Sequence, residues 1–138
     1  MKPYEQIDIS GDAGIRAFGK TLEELFENAA AGMYSLVTDP EGVLDERELR
    51  VSVESHSREG LLVGWLNELI FLFDTRAFIG KRAHVRFPGD NRLEGEVWGE
   101  EFDPKRHRSG LLVKAATYHK LGIEKKDGQW EAEVIFDI

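Results

Sequence analysis

The pattern of apolar residues predicts an α+β fold, with two main helices packed on a mixed, largely antiparallel β-sheet in a single domain over residues 1–138. Three observations carry that prediction. Two long segments place apolar residues at helical spacing. Several shorter segments alternate apolar and polar residues or are rich in strand formers. Turn signals built on glycine separate successive segments, so neighbouring strands can pair locally, and no linker or internal repeat interrupts them.

Tyr4 to Asp8 reads as a short strand, and Ile9-Ser10-Gly11-Asp12-Ala13-Gly14 as a bend, because two glycines flank an aspartate there. Ile15 to Phe18 follows as extended chain. Thr21-Leu22-Glu23-Glu24 matches a capping box and starts the first helix at Thr21 or Leu22. Its apolar positions Leu22, Leu25, Phe26, Ala29, Met33, Leu36 and Val37 recur at helical spacing, and Thr38-Asp39-Pro40 ends it. Leu49 to Glu54 alternates as a half-buried strand. Ser57 caps a second helix, about Arg58 to Thr75, which is apolar over most of its circumference and therefore central to the core.

Ala83 to Phe87 and Leu93 to Glu100 form a hairpin around Gly89-Asp90-Asn91. Lys105-Arg106-His107-Arg108 reads as a solvated turn, and the pattern assigns no element to Leu111 to Thr117. Tyr118 to Lys125 is a strand, Lys126-Asp127-Gly128 a turn, and Gln129 to Asp137 the last strand. By parity, Trp130, Ala132, Val134 and Phe136 share one face of that strand, and Glu131, Glu133, Ile135 and Asp137 the other.

Composition narrows the function. Hydrophobic residues at 41% and charged residues at 32% suit a soluble globular chain. The absence of cysteine excludes disulfides, zinc-thiolate sites and cysteine nucleophiles. A net charge of -8 opposes sequence-independent gripping of a phosphate backbone, so any contact with RNA is expected to run through a partner. Met1-Lys2-Pro3-Tyr4-Glu5 has no apolar signal region, and Leu61 to Phe73 is too short and too polar to cross a bilayer. A cytoplasmic location without membrane attachment is the expectation.

Gly14-Ile15-Arg16-Ala17-Phe18-Gly19-Lys20-Thr21 fits the Walker A expression and precedes a helix, so an independent nucleotide-binding protein is an alternative reading. The residues between its glycines alternate like a strand, however, whereas a phosphate cradle needs a tight loop with converging amides. The run Leu69 to Asp74 could pose as Walker B but lies on a helical pattern. His56, His84, His107 and His119 lack paired metal-ligand spacing, no serine sits in a nucleophile elbow, and no catalytic residue is assigned. Lys114 and His119, in Lys114-Ala115-Ala116-Thr117-Tyr118-His119, form a polar constellation; exposed side chains bordering a strand account for it without a function.

Asp12 and Asp137 with the Ile138 carboxylate remain. Hard divalent cations take carboxylate and carbonyl oxygens, and these groups supply several once the C-terminal strand lies beside the first bend. The simpler reading makes Asp12 a turn cap and Asp137 merely terminal.

The stretches Tyr4 to Gly19, Lys20 to Ala30, Leu61 to Leu69, Gly99 to His107, Val113 to His119 and Ile135 to Ile138 together resemble the archease family, in the same order over nearly the whole chain. The resemblance implies a small α+β protein that activates an RtcB-type RNA ligase in tRNA splicing and RNA repair, promoting guanylylation of the ligase and its multiple turnover. Such a protein is not itself the enzyme. It further implies a metal site on Asp12 and Asp137 with Ile138 beside them, holding calcium before magnesium or manganese. Lys114 and His119 are then expected to border that tip, close to the partner or its nucleotide. One departure stands out. The family usually reads His-Thr-Ala-Asp in the first bend, where this chain has Ile9-Ser10-Gly11-Asp12, so contacts made by that histidine have no counterpart side chain here. A generic protein-interaction module without a metal role is the remaining alternative.

Overall fold

A computed structural model describes residues 2–138. Among them, β1 (Tyr4–Ile9), β2 (Asp12–Gly19), α1 (Leu22–Val37), β3 (Arg47–Glu54), α2 (Arg58–Arg76), β4 (Phe78–Gly89), β5 (Arg92–Glu101), β6 (Ala115–Ala116), β7 (Gly122–Lys126) and β8 (Gln129–Asp137) follow in order, with a single 3-10 turn at Pro40–Gly42. The α+β class and both helices are as the sequence indicates. The strands divide between two sheets, and every pairing is antiparallel. One sheet runs β1-β2-β8-β6, with β7 also on β8; the other runs β3-β5-β4.

Local chemistry explains the boundaries. Ser10-Gly11 closes the β1–β2 hairpin, with Ile9 opposite Asp12, and Gly11 takes the positive φ of 81° that the two-residue turn requires. The bend is therefore two residues long, shorter than the Ile9–Gly14 stretch suggests, and Asp12 opens a strand. Thr21 accepts from the Glu24 amide at 3.1 Å while Glu24 reaches back to the Lys20 amide at 3.0 Å, which satisfies two exposed donors at the start of α1. Ser57 caps α2 through Gly60 N–H at 2.9 Å. Asp127 and Gly128, with φ of 52° and 79°, turn β7 into β8 through an Asp-Gly pair of the type that right-twisted hairpins favour.

The helices join the sheets. α1 packs on β2 and β4, and α2 on β3, β6, β4 and β5. Trp65 of α2 is fully buried, and its indole N–H donates to the Phe26 carbonyl of α1 at 3.0 Å, so the largest core residue also satisfies its polar atom. Ala13, Ile15 and Ala17 of β2 and Ala132, Val134 and Phe136 of β8 face the helices. The predicted parity of the last strand holds for these positions, with Trp130 partly buried against the same core. The segment expected as Tyr118 to Lys125 is shorter, because Tyr118 to Lys120 forms a turn with Lys120 at positive φ before β7 begins. None of the described helices is long and apolar enough to cross a membrane.

Candidate functional site

The ends of the chain meet in the five-stranded sheet. β2 pairs with β8 from Gly19 opposite Trp130 to Ala13 opposite Phe136, and the antiparallel register, continued one residue, sets Asp12 across from Asp137. Opposed residues share a sheet face, and Ala13 and Phe136 point inward, so both aspartates point to the outer, solvent-facing side. Both are exposed. Directly opposed side chains in such a ladder start roughly 4.5–5.5 Å apart at Cβ, a spacing at which two carboxylates can share one cation. Ile138 follows at once, 40% exposed.

The surrounding charges sharpen the contrast. Farther along the same outer face, Arg16 bonds Glu5 at 2.7 Å and lies 3.4 Å from Glu131 and from Glu133, so three carboxylates share one guanidinium. That arrangement raises the Arg16 pKa, chiefly through the Glu5 hydrogen bond. Asp12 and Asp137 have no such cation: among the described residues neither enters an ion pair, and no group of three His, Asp or Glu side chains converges there. Opposed like charges destabilise a ladder pair. Both side chains offer carboxylate oxygens only, the donor chemistry that suits hard divalent cations such as calcium or magnesium rather than a thiol- or imidazole-seeking metal. Next to Asp12 in the same row stands Ile9, half-buried and offering no donor.

Lys114 borders this tip. Its main-chain N–H donates to the Asp137 carbonyl at 2.8 Å, and Ala115 pairs with Asp137. Its side chain is exposed, and no hydrogen bond or ion pair ties it to either aspartate. His119 is also exposed and sits in the turn after β6, where its N–H donates to Thr117 Oγ1 at 3.3 Å. Asn67 fixes β6 from α2 by accepting from the Ala116 amide at 2.7 Å.

The Walker-like stretch forms no phosphate loop. Gly14 to Gly19 lie inside β2, paired with β8 throughout and with β1 as far as Ala17, so their amides face the sheet ladders rather than converging on a ligand. The two glycines answer to packing: a Cβ on Gly14 would lie 3.1 Å from Ile7, and one on Gly19 only 2.4 Å from the Leu25 backbone nitrogen.

One reading of the basic loop is corrected. Lys105, Arg106 and Arg108 are exposed, but His107 is 3% exposed and forms a buried cluster with Glu100. The Asp103 amide donates to His107 Nδ1 at 2.8 Å, which leaves Nε2 to carry hydrogen and donate to Glu100 at 2.9 Å. Glu100 also accepts from Arg106 and, at 2.6 Å, from the Leu44 amide. Arg106 first, then Leu44 and His107, hold the Glu100 carboxyl down at about 2 against the opposing effect of burial. The cluster clamps the long connection that runs from β5 to Lys114. The available sequence signal was Asp103-Pro104 four residues before a histidine, a turn that folds the ring onto its own first amide.

The archease protein family (MTH1598/TM1083) matches residues 4–138. The chain belongs to the archease family. A protein archease of Sulfurisphaera tokodaii is 34% identical over 139 residues, covering 100% of both chains. Its counterpart in Methanothermobacter thermautotrophicus is 38% identical over 141 residues, again covering 100% of each. The solution structure of Methanobacterium thermoautotrophicum protein 1598 superposes with a TM-score of 0.85 at 39% identity, covering 100% of both chains. The crystal structure of a Thermotoga maritima archease, described as a possible chaperone, shares the fold with a TM-score of 0.67 at 22% identity, over 96% of this chain and 94% of that one.

Proposed function

We propose that this archease-family chain is a metal-binding accessory protein that activates an RtcB-type RNA ligase, promoting guanylylation of the ligase and its multiple turnover. The observation that carries the reading is the opposition of Asp12 and Asp137 on one exposed sheet face without a cationic side chain between them. Asp12, Asp137 and the Ile138 carboxylate would hold a divalent cation, calcium before magnesium or manganese. Such a cation supplies positive charge beside phosphate oxygens, and phosphoryl transfer depends mainly on positioning and charge neutralisation.

The chain's own residues supply the frame. Pairing between β2 and β8 fixes the spacing of the two carboxylates, and the Lys114 amide donates to the Asp137 carbonyl; from that position the Lys114 ammonium would face a nucleotide held by the ligase. His119 stands farther along the same edge. RNA is met only through the ligase, in keeping with the net charge of -8.

The test is ligase guanylylation, measured as covalent nucleotide on the ligase, with wild type, Asp12→Ala and Asp137→Ala. The expected result is loss of stimulation in both variants, with circular dichroism unchanged because both side chains are exposed. Full stimulation by folded variants would refute the metal tip.

A further inference from the structure

Among the described residues β1 is an edge strand, pairing with β2 alone. The Phe18 amide donates to the Pro3 carbonyl at 2.9 Å, which fixes the alternation: Glu5, Ile7 and Ile9 turn their main-chain groups toward β2, and Tyr4, Gln6 and Asp8 turn theirs away. Among the described residues no main-chain bond meets those outward groups. The strand is six residues long, and its register with β2 runs unbroken. β4, an edge of the other sheet, is blunted instead, with register shifts at Gly80/Arg82 and Arg86/Gly89 and Lys81 reaching across to Pro40.

Beside β1 runs an open groove of about 740 Å³. Tyr4 and Gln6 form one side, Ser35 and Asp39 at the end of α1 the base, and Arg108 and Leu111 the other side. The far wall is fixed, because the Gly110 and Leu111 amides donate to the Val37 and Leu36 carbonyls, both at 2.8 Å. A row of free amides and carbonyls beside a preformed groove is the geometry in which an added strand completes a sheet.

Charge and apolar surface say what that strand carries. Glu5 is already engaged by Arg16 and Lys2. Among the described residues Asp8 enters no ion pair, and the Asp39 side chain accepts from the Glu41 amide at 3.1 Å, so two carboxylates stay open, Asp39 lining the groove and Asp8 exposed on β1. On the opposite sheet face Ile7 and Ile9 are half-exposed. We infer that the β1 edge and its groove dock an extended segment of a partner protein by strand addition, with Lys or Arg at alternate positions facing Asp8 and Asp39 and apolar residues covering Ile7 and Ile9. The inference rests on the ligase-activator reading only for the identity of the partner.

The probe is the capped peptide acetyl-Lys-Val-Lys-Val-Lys-Val-amide, titrated into the full chain and read by amide chemical shifts and hydrogen exchange. The expected result is slowed exchange at Tyr4, Gln6 and Asp8, with shift changes confined to β1 and Arg108–Leu111. Gln6→Pro removes an outward amide that the sheet does not use and should abolish the effect, while Gln6→Ala retains it; Asp8→Lys should weaken binding at least fivefold. No protection of β1, protection at another edge, or equal binding by folded Gln6→Pro would overturn the inference. So would self-association that protects β1 in the absence of peptide, which would make a second copy the occupant.

A second arm uses a purified RtcB-type ligase. Gln6→Pro should lower its affinity at least tenfold, and equal affinity would remove the β1 edge from the ligase contact while leaving the activator reading intact. A ligase that binds no form of the chain refutes the activator reading, and the peptide arm alone then decides the docking edge.

Discussion

Glu100 gathers three hydrogen-bond donors around one buried carboxylate. Its side chain is 8% exposed and takes hydrogen bonds from Arg106, His107 and Leu44, so its ionised form is the one the fold is built around. The carboxyl falls from 4.5 to about 2, Arg106 being the largest cause. A depressed carboxyl value means that its contribution to stability is complete above pH 4.5 and fades as pH falls toward 2. Discounted for the half-exposed Arg106, that contribution is roughly 2 kcal/mol. Glu100→Gln should therefore lower unfolding stability by roughly 2–3 kcal/mol at pH 7, since it leaves buried donors facing an uncharged amide. Urea unfolding at pH 7 and pH 2.5 checks this: the two proteins should differ strongly at the first and converge at the second. A constant difference across both would assign the effect to packing instead.

At the scale of elements, β2 shows why a motif expression and a structural context are separate claims. Gly19 satisfies the Walker pattern, yet the constraint on it is the Leu25 backbone 2.4 Å from where a Cβ would stand. Gly19→Ala should cost about 1–3 kcal/mol through overpacking at the entry to α1. Lys20→Ala, at an exposed position, should change stability by no more than about 0.5 kcal/mol and leave any weak GTP binding as it was. Thermal unfolding of both variants with and without GTP separates these outcomes, and a GTP-induced stabilisation that Lys20→Ala removes would restore the nucleotide reading. The same strand marks what the sequence could convey. Alternation from Ile15 to Phe18 and parity from Trp130 to Asp137 are local signals, and both survive in the structure. The separation into two sheets is non-local: it depends on β5 choosing β3 and β4 while β8 chooses β2, and no window of sequence contains that choice. β6 has two residues and Asn67 of α2 holds it in place, so Leu111 to Thr117 has no periodicity to read. His107 was hidden for a related reason, because its three exposed basic neighbours make the loop look wholly solvated.

For the molecule as a whole, the decisive fact is that the N-terminal hairpin and the C-terminal strand share one ladder. Asp12 and Asp137 are 125 positions apart in sequence and face each other only when β2 and β8 are paired, so the unfolded chain has no equivalent of the site. A ligand that binds only the folded form stabilises it by mass action, about 2.7 kcal/mol at a hundredfold excess over its dissociation constant. For a domain of this size, 1 kcal/mol moves the melting temperature by roughly 3–5 °C. Calcium in that excess should then raise the wild-type melting temperature by about 10 °C relative to EDTA. Asp12→Asn and Asp137→Asn should lose most of that rise. In EDTA the same variants should melt slightly above wild type, because each removes one member of an opposed like-charge pair. The two signs together distinguish a cation site from ordinary surface acid: substitutions that lowered stability equally with calcium and with EDTA would show that the aspartates serve the hairpin and not a metal.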